Sequence, residues 1–322
     1  MKQLAKEIIN GRRIGCEDDL SILLTENIDS LCLGADMIRK ELCGDNAELC
    51  SIINARSGRC SEDCKFCAQS SHYTTQTESY AFLQSENVVT EARRNETVGI
   101  QRFSIVTAGR CLDGDDLKKA LKVYNHLQRE CDIKLCASCG LVTEDVFRQL
   151  KSVGVTRYHS NIETSRRYFP YICTTHTFDD KIANIRRAQK AGLEVCSGGI
   201  IGMGEEWEDR IDMAITLAEN GIESIPLNIL RPIQGTPFEM RSPISHEDIL
   251  RTVAIFRYIN PTATIRIAAG RDRFSDGGAV LFKSGANAAI SGDMLTTTGS
   301  CMTDDVTMFL QLGYTLHRGE HK

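Results

Sequence analysis

No stretch of the 322-residue sequence stays apolar for long. A membrane span needs about 20 such residues, so no membrane helix is expected. No basic stripe is present either, and the net charge of −5 speaks against a nucleic-acid partner. The opening residues, MKQLAKEIINGRR, are amphipathic and lack the apolar core and small-residue cleavage site of a signal peptide. A cytoplasmic location is the expectation. There is no Pro/Ser-rich linker and no low-complexity segment to mark a domain boundary. Walker-type and zinc-protease motifs are missing. His126, His159 and His176 have no nucleophile context, which removes a Ser-His-Asp hydrolase from consideration.

What the chain does have is cysteine: fourteen of them. A reducing compartment disfavours a disulfide framework, and many of these thiols read as small buried hydrophobes. Cys16, Cys32, Cys43, Cys131 and Cys301 fall in that group. The segment GRCSEDCKFCAQSSHY is different. It places Cys60, Cys64 and Cys67 in a C-x3-C-x2-C pattern on one short loop. Three thiols are one too many for a disulfide and one too few for a closed zinc site. Thiolates are soft ligands that select zinc, copper(I) or iron–sulfur clusters. The pattern is not the paired spacing of a zinc knuckle, and an iron–sulfur cube held at three irons with a fourth left open suits it better.

The length allows two domains of about 150 residues or a single α/β barrel of about 250. Short β-branched runs alternate with helical stretches after residue 48. Strands are expected at 49–56, 101–107, 133–138, 155–163, 193–200, 224–230, 262–269 and 287–291. Helices between them end at glycine, as in SVGV and KAGLEV, with Thr143 and Asp179 suited to helix starts. The pattern predicts an α/β fold of the (β/α)8 TIM-barrel type over 46–322, preceded by a helical extension over 1–45. Sites in such barrels sit at the C-terminal ends of the strands. Most of the unusual residues fall there: the triad after the first strand, Cys136 and Cys139 after the third, Asn161 and Glu163 after the fourth. Cys196 and GGIIGMGE follow on the fifth, Asn228 and Arg231 on the sixth, while Arg266 lies on the seventh.

The triad, with Phe66 before its last cysteine, resembles the CxxxCxΦC signature of the radical S-adenosylmethionine (SAM) superfamily. Gly198-x-Ile200-x-Gly202-x-x-Glu205 is similar to that superfamily's adenine-contacting GxIxGxxE. The resemblance implies a 4Fe–4S cluster on Cys60, Cys64 and Cys67 whose open iron chelates SAM. Ile200 and Gly202 would contact the adenine. The superfamily's GGE segment is replaced by Thr107, Ala108 and Gly109, expected at the methionine end, with Arg231 also at the cofactor.

Five further blocks, YHSNIETS, VCSGGIIGMGE, IPLNILRPIQGTPFE, IRIAAGRD and GDMLTTTG, resemble the biotin synthase family over residues 45 to 300. That resemblance implies sulfur insertion into dethiobiotin by a radical drawn from SAM, the sulfur coming from an auxiliary cluster. It implies a flavodoxin or ferredoxin donor and a homodimer. Asn161 and Glu163 would contact substrate and the SAM ribose, Glu163 standing where the family more often has aspartate. Asn228 would bind the substrate's ureido group, and Thr296 and Thr297 its carboxylate tail.

The family's usual auxiliary cluster is 2Fe–2S, bound by three cysteines and an arginine. Cys136, Cys196 and Arg266 match three of those positions, but the fourth is Ser104. The expectation drawn from this departure is a four-iron auxiliary cluster on Cys136, Cys139, Cys173 and Cys196. Arg266 would sit beside it, and Cys111 competes with Cys173. The alternatives are another radical SAM enzyme on the same barrel, a maturase or a mutase like the methylornithine-forming enzymes, and a non-catalytic metal-binding module.

Overall fold

The computed structural model describes residues 1–296 and 299–316. Strands form where the β-branched runs lie. They are β1 Glu48–Arg56, β2 Arg102–Thr107, β3 Lys134–Ser138, β4 Val155–His159, β5 Glu194–Cys196, β6 Gly199–Ile201, β7 Ser224–Ile229, β8 Thr264–Ile267 and β9 Ala288–Ile290. Neighbours run β5-β4-β3-β2-β1-β9-β8-β7-β6, all parallel, and Cys196 opposite Ser224 joins β5 to β7. The ring is closed and is the expected barrel, with helices such as Gly114–Glu130, Phe178–Lys190 and His246–Ile259 in the crossovers.

Two strands differ from expectation. The fifth strand breaks at Ser197–Gly198 into β5 and β6, and the fourth ends at His159 instead of residue 163. Backbone crowding is the cause. A Cβ on Gly198 would lie 1.9 Å from the carbonyl oxygen of Pro226, and one on Gly199 would lie 2.3 Å from that of Glu163. Two glycines let three chains approach there. The chain after β4 still follows its neighbour: Glu163 N donates to Gly198 O at 3.1 Å and Ile200 N to Glu163 O at 2.9 Å. Glu163 itself has φ +70°, in the left-handed region a non-glycine residue rarely enters.

Helices Lys2–Ile9, Ser21–Thr25 and Ile28–Cys43 precede β1, and the third packs on His246–Ile259. Asn27 caps the third helix, accepting from Asp29 N at 3.0 Å and Ser30 N at 3.2 Å. The fully buried Arg257 pins this extension to the barrel. Its guanidinium reaches Cys43 Sγ (3.1 Å), Pro261 O (3.0 Å), Ala263 O (2.8 Å), Gly285 O (2.8 Å) and Asn287 Oδ1 (3.0 Å). Among the described residues, no helix is long and apolar enough to cross a membrane.

Arg257→Met keeps the apolar stem and strands the carbonyls it served. A buried acceptor left alone costs about 1–3 kcal/mol. Urea denaturation should show a stability loss of roughly 3 kcal/mol with little change in far-UV circular dichroism at zero denaturant. An unaltered midpoint would mean that the arginine is not the pin.

Candidate active site

Successive residues of a barrel strand point alternately in and out. Here many of the inward positions carry sulfur, charge or hydroxyl groups. Cys50 and Ile52 of β1, Arg102 and Ser104 of β2, and Cys136 and Ser138 of β3 line one cavity. Arg157 and His159 of β4, Cys196 of β5, Asn228 of β7 and Arg266 of β8 line it too. The cavity measures about 390 Å³. Its mouth carries the triad loop, and its floor carries a second set of sulfurs.

The loop is closed by backbone hydrogen bonds from Cys60 N to Gln69 O (2.9 Å), Ser71 N to Cys60 O (2.8 Å) and Cys67 N to Cys64 O (3.0 Å). Cys60, Cys64, Phe66 and Cys67 all line the cavity. The thiols sit in surroundings that disfavour free thiolates. Burial pushes Cys67 up to about 11, and a hydrogen bond to Cys173 together with burial raises Cys64. A metal bound here must displace those protons. Three soft donors held on one short loop fit a cluster that keeps one iron free.

Around this mouth the structure brings together most of the residues expected at the cofactor. Thr107, Ala108, Gly109, Asn161, Glu163, Ile200 and Arg231 line the same cavity. Arg56 Nε donates to Ala108 O at 2.9 Å and holds the Thr107–Gly109 turn. Asn161 Oδ1 accepts from Gly198 N at 3.1 Å, and its Nδ2 donates to Glu163 Oε2 at 3.3 Å. Gly202 lies outside the lining. Glu205, the acid of the glycine motif, is turned away as well. Its carboxylate accepts from the backbone of Gly202 (2.8 Å), Met203 (2.7 Å) and Gly204 (3.1 Å) and from Arg210 Nε (2.8 Å), so it closes the turn that carries Ile200 into the site. Asn228 spans strands, donating to Gly199 O and accepting from Ala269 N, each at 3.3 Å. That leaves one N–H and one lone pair for a ligand. Thr296 is at the cavity edge, and Thr297 lies outside the described residues.

The floor departs from the expected four-cysteine set. Cys136 and Cys196 face the cavity, but Cys139 and Cys173 do not. Cys139 follows β3 at an outward position, fully buried in the hydrophobic core beside Tyr124 and Tyr158, where burial pushes its thiol up to about 12. Cys173 lies next to Cys64, with 3.7 Å between the sulfurs, and so belongs to the mouth. Cys111 pairs with Gly140 across an isolated bridge and approaches Asp113 at 3.6 Å, away from the cavity. The thiol that joins Cys136 and Cys196 is Cys50, a residue of β1 that belongs to no sequence motif. The signal was there: Ile52 stands opposite Ser104 in register, so Cys50 is an inward position on the strand next to the missing thiol. Cys50 and Cys136 lie within the bodies of their strands, and Cys196 is the last residue of β5.

Charge surrounds these sulfurs. The Glu48 carboxylate, at the start of β1, binds Arg102 Nε (2.7 Å), Arg157 Nη1 (2.6 Å) and the guanidinium of Arg266, and those charges hold it far below the carboxylate range despite its burial. Glu194 takes Arg102 (3.1 Å) and Arg157 (2.9 Å). Burial raises the Cys50 thiol to about 12. Burial opposes ionisation of Cys196 too, but a hydrogen bond with His159 and the nearby Arg266 and Arg157 outweigh it, leaving Cys196 at about 6. Ser224 Oγ donates to Cys196 Sγ at 3.3 Å. Among the described residues that line the cavity, Arg266 Nε and Ser104 Oγ, and Thr107 Oγ1 nearer the mouth, are buried without a hydrogen-bond partner. Orphaned donors beside three sulfurs fit an anionic inorganic group on the floor.

Closed barrel, triad loop and glycine turn together define a radical SAM protein. The Radical SAM superfamily profile matches residues 55–218, and that of the Biotin and Thiamin Synthesis associated domain matches 226–315. Among solved structures, methylornithine synthase superposes with a TM-score of 0.84 at 18% identity, covering 98% of this chain and 97% of that one. The FeFe-hydrogenase maturase of Carboxydothermus hydrogenoformans gives 0.79 at 16%, covering 97% and 78%. These likenesses speak to fold alone. Closer in sequence are the biotin synthases of Clostridium beijerinckii, 57% identical over 98% of this chain and 100% of theirs, and of Alkaliphilus metalliredigens, 56% over 98% and 99%. That of Akkermansia muciniphila is 51% identical over 92% of each. The chain belongs to the biotin synthase family.

Glu48→Gln removes the charge shared by two buried guanidiniums, Arg102 and Arg266, and the largely buried one of Arg157. Breaking a buried pair costs about 3–5 kcal/mol. The Glu48 contribution is complete above the unfolded glutamate value of about 4.3 and fades as pH falls below it. Denaturant midpoints of wild type and variant should differ most near neutrality and converge towards pH 3; parallel curves across that range would contradict the network.

Proposed function

We propose that the protein inserts sulfur into dethiobiotin to form biotin, in a reaction started by reductive cleavage of SAM. One observation carries this reading: a single cavity joins a three-cysteine loop at its mouth to a second three-cysteine set on its floor. A carbon radical generated between them would meet sulfur within the same enclosed space. When bound, the cluster and SAM supply a 5′-deoxyadenosyl radical, and the auxiliary cluster supplies the sulfur atom.

The chain's own residues position and shield. Cys60, Cys64 and Cys67 hold the first cluster. Thr107–Gly109, Asn161, Glu163, Ile200 and Arg231 surround SAM, with Phe66 packed at the loop. Asn228 offers its spare donor and acceptor to the ureido group, and Thr296 and Thr297 receive the carboxylate tail. Fixing reactants at near-contact in a water-poor cavity is the protein's main contribution. Cys50, Cys136 and Cys196 bind the auxiliary cluster, taken to be of the four-iron type, with three thiolates instead of the four expected from sequence. Arg266 is already engaged by Glu48, which supports a role beside the cluster and not as a ligand. Three guanidiniums facing two carboxylates leave the floor positive, as an anionic cluster requires. A flavodoxin or ferredoxin donor and a homodimer belong to the same reading.

Anoxically reconstituted protein given SAM, a strong reductant and dethiobiotin should yield methionine, 5′-deoxyadenosine and biotin by mass spectrometry. Cleavage of SAM with dethiobiotin left untouched would point to another substrate on the same barrel. Iron and sulfide analysis separates the floor ligands. Cys50→Ala should lose the auxiliary iron and all biotin formation while still cleaving SAM, and Cys139→Ala should keep both clusters. Full iron in Cys50→Ala would return the site to the four-cysteine set.

A further inference from the structure

The turn Cys173–His176 follows the short helix Phe169–Ile172 and packs against the triad loop. Two consecutive acids of that loop grip it. Asp63 Oδ1 accepts from Thr174 N (2.8 Å) and Thr175 N (3.2 Å), and Oδ2 takes the Thr174 hydroxyl. Glu62 Oε2 accepts from Thr175 Oγ1 (2.8 Å) and His176 Nδ1 (2.6 Å). Lys65 N donates to Ile172 O at 2.9 Å. Glu62, Cys173 and His176 are all buried, and the edge of Phe169 against the imidazole, centroids 5.6 Å apart, fixes the ring plane. This scaffold sets Cys173 Sγ 3.7 Å from Cys64 Sγ and 3.3 Å from His176 Nδ1.

Cys64, Cys173 and His176 place ligand atoms within 4.8 Å of one another, as an isolated metal site would. Cys64 cannot serve two centres, however, and Cys173 does not face the cavity where the auxiliary sulfurs lie. Besides Cys64, its sulfur lies 3.3 Å from Asp63 Oδ1 and 3.5 Å from Thr175 Oγ1. Asp63 Oδ1 already accepts from the Thr174 and Thr175 N–H groups and the Thr175 hydroxyl donates to Glu62, whereas a metal-bound Cys64 thiolate can only accept, which directs the Cys173 proton to Cys64.

We propose that Cys173 is a positioning residue that donates an S–H hydrogen bond to the Cys64 thiolate and so sets the reduction potential of the SAM-binding cluster, with the His176–Glu62 pair holding it in place. The proposal rests on reading Cys60, Cys64 and Cys67 as ligands of that cluster. Cluster potentials respond to hydrogen bonds on their sulfurs. The reduced cluster carries one more negative charge than the oxidised one, so a donor stabilises it more, and removing the donor drives the potential down.

The test is a redox titration followed by electron paramagnetic resonance on the reconstituted full chain with SAM present. Cys173→Ala should retain the iron of both clusters, show a more negative midpoint for the SAM-binding cluster and cleave SAM more slowly with a weak reductant. Cys173→Ser, which keeps an O–H donor, should stay nearer wild type. An unchanged midpoint in Cys173→Ala at full iron overturns the proposal, as does loss of auxiliary iron with the SAM-binding cluster intact. Where Cys173→Ala fails to hold the cluster, Cys173→Ser decides: a near-normal midpoint supports the hydrogen bond, and failure of both variants reduces Cys173 to packing. A Cys60→Ala control tests the underlying reading separately, because a reducible SAM-responsive cluster that survives it would remove the triad assignment itself.

Discussion

A carboxylate shared by three guanidiniums keeps the middle of this barrel open. Barrel interiors of this kind are normally filled by layers of branched apolar side chains. Here Glu48 gathers Arg102, Arg157 and Arg266 from three other strands, and Glu194 completes the set. Neither sign of charge is affordable in that position alone. Together they tie five strands at one level and hold polar groups around a space that sulfur lines. The sulfur set on the floor, the cavity above it and the loop at its mouth all stand on that arrangement.

The two cysteine sets are held by different means. The floor thiols sit on strands, where register and alternation determine their direction and no local motif is needed. The mouth thiols sit on a loop, and a loop has to be held by something else. Asp63 and Glu62 do this by binding the turn that follows Ile172, so the triad's geometry depends on a segment more than a hundred residues away in sequence. The same grip brings Cys173 against Cys64 and buries His176. Cys173 therefore lies with the mouth sulfurs and apart from those on the floor.

Short-range signals carried much of the molecule. Strand and helix alternation was visible because β-branched runs and glycine stops recur along the chain, and the eight strand positions follow from them. The triad is legible because all three of its cysteines fall in one loop. The glycine motif stands out along the chain, yet its acid closes a turn through three backbone N–H groups instead of facing the cavity. Break points such as Ser197–Gly198 were not legible, since the crowding there comes from Pro226 on β7 and from Glu163 in the segment after β4.

By itself the sequence determined the barrel, the position of the triad loop and the absence of the usual thiol at Ser104. Only the tertiary structure decided which cysteines share the floor. Cys139 is three residues from Cys136 and faces the opposite side of the sheet. Cys50 is far from both in sequence and lies inside with them. Facing is set by the two-residue period of each strand, and proximity by closure of the ring. Neither can be read from spacing along the chain, because the contacts that matter join strands that are remote in sequence.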